Sequence, residues 1–86
     1  MPQVFEIVAS KNVYKSLYKI PLPWRERISK AIDNLALNPF RGEKLWREYV
    51  GKRKLRIWPY RIIYSIDEKR KVVFLLDVGH RQGIYK

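Results

Sequence analysis

Cysteine is absent from the 86 residues, which excludes a disulfide framework and any thiolate-held zinc or iron–sulfur centre. Histidine occurs once, as His80, so a paired-histidine acid and base mechanism is excluded as well. Acidic residues are scarce, eight against 19 Lys and Arg. They are Glu6, Glu26, Asp33, Glu43, Glu48, Asp67, Glu68 and Asp77, and only Asp67 and Glu68 adjoin. A two-metal nuclease needs several converging carboxylates, so neither a metal nor another cofactor is expected. Gly42, Gly51, Gly79 and Gly83 match neither a phosphate-binding loop nor a dinucleotide fingerprint. Ser10, Ser16, Ser29 and Ser65 form no nucleophile elbow, and one histidine gives a serine triad little support. The longest purely apolar run is Val72–Leu76, well short of a membrane span. The first residues read as a strand carrying Glu6, not as a charged and then apolar signal segment.

What remains is apolar, aromatic and basic. Hydrophobic residues make up 47% of the chain and aromatics 14%, too much for a disordered basic tail, so the net charge of +11 sits on a folded body. The length suits one domain over residues 1–86, and a soluble, cytoplasmic protein with a polyanionic partner is expected. The charge is uneven: residues 41–61 hold eight basic and two acidic residues, more than half the excess in a quarter of the chain. Such concentration points to a binding face.

Periodicity supplies the elements. Residues 4–8, Val-Phe-Glu-Ile-Val, read as a strand. Ser10 is a candidate N-cap for a short helix to about Tyr18 that buries Val13 and Leu17. Pro21 and Pro23 break it and suit the first turn of a second helix. There Trp24, Ile28, Ala31, Ile32 and Leu35 form one apolar stripe, and Asn38-Pro39 closes it. After a loop at 40–44 the period becomes two. Over 52–58, Lys52, Lys54, Arg56 and Trp58 fall on one side, with Arg53, Leu55 and Ile57 on the other. A second strand over 60–66 sets Arg61, Ile63 and Ser65 against Tyr60, Ile62, Tyr64 and Ile66, which read as core. The connection through Trp58-Pro59 predicts an antiparallel hairpin. Residues 67–70 are a polar turn, and 71–78 a nearly continuous apolar strand of central type. The fold class is α+β: an N-terminal strand, a two-helix hairpin, an antiparallel three-strand meander joined into one sheet, and a short C-terminal tail or helix.

A cationic, aromatic face of this kind suits metal-free RNA cleavage. The RNA's own 2′-OH attacks the adjacent phosphate and expels the 5′-oxygen, while the protein aligns the sugar, stabilises the added negative charge and moves two protons. Arg forks and Lys point charges suit that charge, and an aromatic ring nearby stacks an unpaired base. His80 serves as a proton donor or phosphate ligand, or simply hydrogen-bonds at a strand end. The same residues equally serve a non-catalytic RNA- or DNA-binding module.

Lys54, Arg56, Tyr60, Arg61 and Tyr64, in the spacing Lys-x-Arg-(x)4-Tyr-Arg-x-x-Tyr, precede a Val-rich strand that ends Val78-Gly79-His80-Arg81, with Tyr85 close behind. This ordered set resembles the RelE/ParE superfamily of type II toxins over essentially the whole chain. The resemblance implies a compact α+β toxin neutralised by a cognate antitoxin, a RelB-like, small, acidic or amphipathic chain. Its RelE-like branch implies metal-free mRNA cleavage on the ribosome; its ParE-like branch implies poisoning of DNA gyrase. Under the RelE-like reading Arg61 and Arg81 are phosphate and transition-state ligands. Lys52 and Lys54 hold the backbone and assist proton transfer, and Tyr85 is base or stacking residue, or else a C-terminal cap on the core. Arg53, Arg56, Trp58 and His80 complete the expected RNA contacts, Lys52 and Arg56 having an ordinary solvated strand position as their alternative. The Lys52, Lys54, Arg56 and Arg61 set favours the ribonuclease branch.

Overall fold

The structure is a computed structural model that describes residues 4–80. In chain order it contains β1 (Glu6–Ala9), α1 (Lys11–Tyr18), α2 (Leu22–Leu37), β2 (Glu43–Lys44), β3 (Lys52–Ile57), β4 (Tyr60–Asp67) and β5 (Val72–His80), with single 3-10 turns at Pro39–Arg41 and Arg47–Tyr49.

The helices form where their caps and stripes place them. Ser10 Oγ accepts a hydrogen bond from the Val13 N–H at 3.3 Å, a cap that contributes about 1 kcal/mol. Val13 is buried and Leu17 packs beside it. Pro21 occupies the N-cap of α2 and Pro23 its first turn, where a missing N–H leaves no bond unmade. Ile28 and Leu35 are fully buried, and Trp24, Ala31 and Ile32 pack against the same core. Each such buried Ile or Leu contributes about 1.5–3 kcal/mol, which holds α2 on the sheet. The helix stops at Asn38, whose side chain accepts the Phe40 N–H at 3.3 Å.

The strands form one mixed sheet in the order β1-β5-β4-β3-β2. β1 runs parallel to β5; the other pairs are antiparallel. This is the expected α+β plan with the helices on one face, since Ile7, Ala9, Leu55, Ile57, Ile62, Tyr64, Val73, Leu75 and Val78 all join the helix core. Two particulars differ from the sequence reading. Residues Glu43–Lys44 form an edge strand within what reads as loop, because two residues are too few to show a period. β5 is also flanked on both sides, yet the middle strand is β4. The apolar run of β5 does not mark burial on both faces: Leu76 and Asp77 are exposed.

The cause is a β-bulge. Ile63 pairs with Asp77 but Tyr64 pairs with Leu75, so Leu76 is the extra residue of β5. One added residue shifts the alternation by one. Val73 and Leu75 face the helices before the bulge and Val78 after it, while Asp77 turns to the open face. The expected tail or helix after the last strand, with Arg81 and Tyr85, lies outside the described residues. No helix among the described residues is long and apolar enough to cross a membrane.

Candidate nucleic-acid interface

The face of the sheet opposite the helices carries the basic residues. Along β3 the alternation aims Leu55 and Ile57 at the core and Lys52, Lys54 and Arg56 the other way. The hairpin then sets the partners: Arg56 lies opposite Arg61, Lys54 opposite Ile63 and Lys52 opposite Ser65. Residues directly opposite on antiparallel strands share a face, and like charges so placed are destabilising. The Arg56–Arg61 pair therefore concentrates positive charge at one cross-strand position. On its other side Arg61 lies opposite Gly79. Ile63, in the next row between Lys54 and Asp77, is 5% exposed and forms a closed apolar floor.

Edge strand β2 brings in a carboxylate that sequence reasoning passed over. Glu43 pairs in register with Lys54, and its Oε1 stands 3.0 Å from Lys54 Nζ and 3.3 Å from Arg56 Nη2. Its carboxyl is held below the usual carboxylate range, first by the hydrogen bond from Lys54, then by the charges of Lys54 and Arg56, and less by that of Arg61. Lys54 is held more tightly than Arg56, its side chain being 11% exposed against 64%. One carboxylate thus orients two cations across the rim of the face.

β2 itself is anchored from the core. The Tyr64 hydroxyl donates to the Pro39 carbonyl at 2.7 Å and accepts the Gly42 N–H at 2.9 Å. Burial pushes this hydroxyl above the ordinary tyrosine range, against smaller lowering by the Gly42 hydrogen bond and the charges of Arg53 and Arg41. A Cβ at position 42 would collide with the Tyr64 hydroxyl and stand 2.8 Å from the Lys54 carbonyl, so the close approach requires glycine.

The remaining expected contacts are dispersed. Arg53 faces the helix side, where its Nη1 donates to the Gly42 carbonyl at 2.8 Å and the Phe40 carbonyl at 3.3 Å, with the guanidinium over the Phe40 ring. His80 lies opposite Tyr60 on that same side, its ring edge-on to Tyr60 at 5.7 Å. Trp58, beside the cis Trp58–Pro59 peptide, is 71% exposed at the hairpin tip. Lys52, Lys54, Arg56 and Arg61 therefore share the open face, whereas Arg53 and His80 do not. Among the described residues no three His, Asp or Glu side chains gather as a metal site.

Comparison with known proteins identifies the family and the fold. The family model described as the ParE toxin of the type II toxin–antitoxin system parDE matches residues 8–85. Toxin RelG of Mycobacterium tuberculosis (strain ATCC 25618 / H37Rv) is 39% identical over 57 residues, which span 65% of this chain and 66% of that toxin. The toxin–antitoxin complex RelBE2 from Mycobacterium tuberculosis contains a chain of the same fold, with TM-score 0.82 and 28% identity over 91% of this chain and 92% of that one. The archaeal RelE–RelB complex from Pyrococcus horikoshii OT3 gives TM-score 0.76 and 26% identity over 91% and 96% of the two chains.

Proposed function

Because the chain belongs to the ParE toxin family of type II toxin–antitoxin systems, within the RelE/ParE superfamily, we propose that it is the toxin of such a pair and a metal-free endoribonuclease that cleaves mRNA on the ribosome. The observation that carries this reading is the open-face set of Lys52, Lys54, Arg56 and Arg61, with Arg56 and Arg61 in register. In the proposed step a 2′-OH loses its proton to a base and its oxygen bonds to the adjacent phosphorus. The bond to the 5′-oxygen breaks, and that oxygen takes up a proton. Arg61, with Arg81, binds the phosphate and the extra negative charge of the transition state, the task for which preorganised donors are most effective. Lys52 and Lys54 hold the backbone and assist proton transfer, with Lys54 and Arg56 oriented by Glu43. Tyr85 is the base or the stacking residue, and Trp58 and His80 are peripheral RNA contacts.

The partners proposed with it are mRNA and the ribosome in the cytoplasm, and a cognate RelB-like antitoxin, a small acidic or amphipathic chain. Two solved complexes of this fold pair toxin with antitoxin. An acidic segment of such a partner would complement the cationic face.

The test is to incubate purified protein with programmed ribosomes and map the mRNA ends. Wild type is expected to give discrete new ends, and Arg61→Ala to lower the rate by about 10²–10³. Message that stays intact with wild type, or is cut equally by both, overturns the ribonuclease reading. The family description, ParE toxin, favours a second reading, inhibition of DNA gyrase. Loss of supercoiling with double-strand breaks at low toxin concentration, and no mRNA ends, would establish that alternative.

A further inference from the structure

A second aromatic and cationic surface lies around the sheet edge from the open face. Beside the connection from β2 to β3 and the end of β4, an open cleft of about 340 Å³ is lined by Phe40, Lys44, Trp46, Val50, Lys52 and Arg53, with Glu68 as its one acidic residue. Phe40, Trp46 and Val50 are exposed, Trp46 at 71%, a large apolar outlay for a surface loop.

The loop that presents Trp46 is built rather than slack. The Leu45 N–H donates to the Lys52 carbonyl at 3.0 Å, Tyr49 N–H to Trp46 at 3.2 Å and Val50 N–H to Arg47 at 3.1 Å. Arg47 takes a left-handed backbone, φ 59°, and Gly51 φ 90°. A non-glycine residue so placed is strained, and such strain gathers at functional positions. Cations already sit on rings here, Arg53 over Phe40 at 5.3 Å and Lys52 over Tyr49 at 5.6 Å.

We propose that this cleft is a stacking subsite for an unpaired nucleobase of single-stranded RNA, with Trp46 as the stacking ring. The proposal rests on the RNA reading above and extends it to a second contact on the same strand. Lys52 belongs both to the cleft and to the open face. Arg56 lies four residues further along β3, about 13 Å away at the rise of an extended strand. One RNA segment of that span reaches from a phosphate at Arg56 and Arg61 to a base in the cleft by way of Lys52. An apolar peptide would satisfy Trp46 and Val50 but supply no counter-charge to Lys44 and Lys52. A nucleotide answers both, by its ring and by its phosphate.

The test measures fluorescence anisotropy of a labelled short oligouridine and of an abasic sugar–phosphate strand of equal length, at one fixed salt concentration. Trp46→Ala is expected to weaken oligouridine binding by about 5- to 150-fold, Trp46→Phe to retain most of it, and the abasic strand to bind wild type and Trp46→Ala alike. Arg61→Ala is expected to weaken both probes. Equal thermal unfolding of wild type and Trp46→Ala confirms that the fold is unchanged. Oligouridine bound equally by wild type and Trp46→Ala overturns the subsite, as does an equal loss on both probes. In either case ribosomal cleavage sensitive to Arg61→Ala would leave the ribonuclease reading standing. A wild type that binds neither probe overturns the subsite, and the cleavage assay then decides the ribonuclease reading by itself.

Discussion

Tyr64 connects the core to the functional rim. Its ring is fully buried, and its hydroxyl ties together Pro39 and Gly42 just before the strand that carries Glu43. Phenylalanine at this position keeps the ring but leaves a buried N–H and a buried carbonyl without their partner. Tyr64→Phe is expected to destabilise the protein by about 1–3 kcal/mol, seen as a fall in Tm of at least about 4 °C. An unchanged Tm would mean that the connection is held by other bonds. The hydroxyl also sets an alkaline limit, because burial raises it above the ordinary tyrosine range. Its contribution is full below the unfolded tyrosine pKa and is lost as pH rises through the raised value, a loss absent from Tyr64→Phe. Alternation alone identifies Tyr64 as a core residue. It does not identify Gly42 and Pro39 as partners, because they stand 22 and 25 residues away in a segment without period.

Among the elements, β5 has the sequence most at odds with regular alternation. With Val73 and Leu75 on the helix side, an unbroken strand would turn Asp77 inward and Val78 outward. The bulge at Leu76 reverses that and places Asp77 beside Ile63 on the open face. Deletion of Leu76 removes the extra residue and leaves Leu75 facing in, Asp77 out and Val78 in on a regular ladder, so it is expected to cost no more than about 0.5–3 kcal/mol. Thermal or urea unfolding measures this, and a much larger loss would show that the bulged backbone itself is required, beyond the facing of Asp77 and Val78. The apolar composition of 71–78 makes the strand legible in the sequence. It leaves the bulge invisible, because nothing in the apolar run marks which residue is the extra one until the pairing with β4 fixes the register. The opposite case is β3, whose Lys, Leu and Arg alternation assigns both faces before any partner strand is known.

For the whole molecule, the net charge of +11 is divided by the sheet. Helices and core occupy one side, and Lys52, Lys54, Arg56 and Arg61 share the other. If each of these four neutralises one RNA phosphate, log K for a single strand should fall with log salt concentration at a slope near about −3, and Arg61→Ala should make it shallower by about 0.7. Titration of oligouridine at several KCl concentrations measures the slope. A value near zero would mean that the excess charge is dispersed over the surface rather than gathered on a binding face.

By itself the sequence determined the order of the two helices and the four longer strands, the helix caps and stripes, the β3–β4 hairpin and the side of β3 on which its cations lie. All of these depend on neighbours within a few residues, where the helical and strand periods and the turn chemistry are expressed. Only the tertiary structure decided that Glu43 bridges Lys54 and Arg56, that Arg53 turns to the backbone of 40 and 42, that Leu76 is the bulged residue and that Trp46 lines a cleft with Lys44 and Lys52. Each of these depends on strand register or on contacts between segments distant in the chain. Such contacts arise when the sheet closes on its helices, and no local period encodes them.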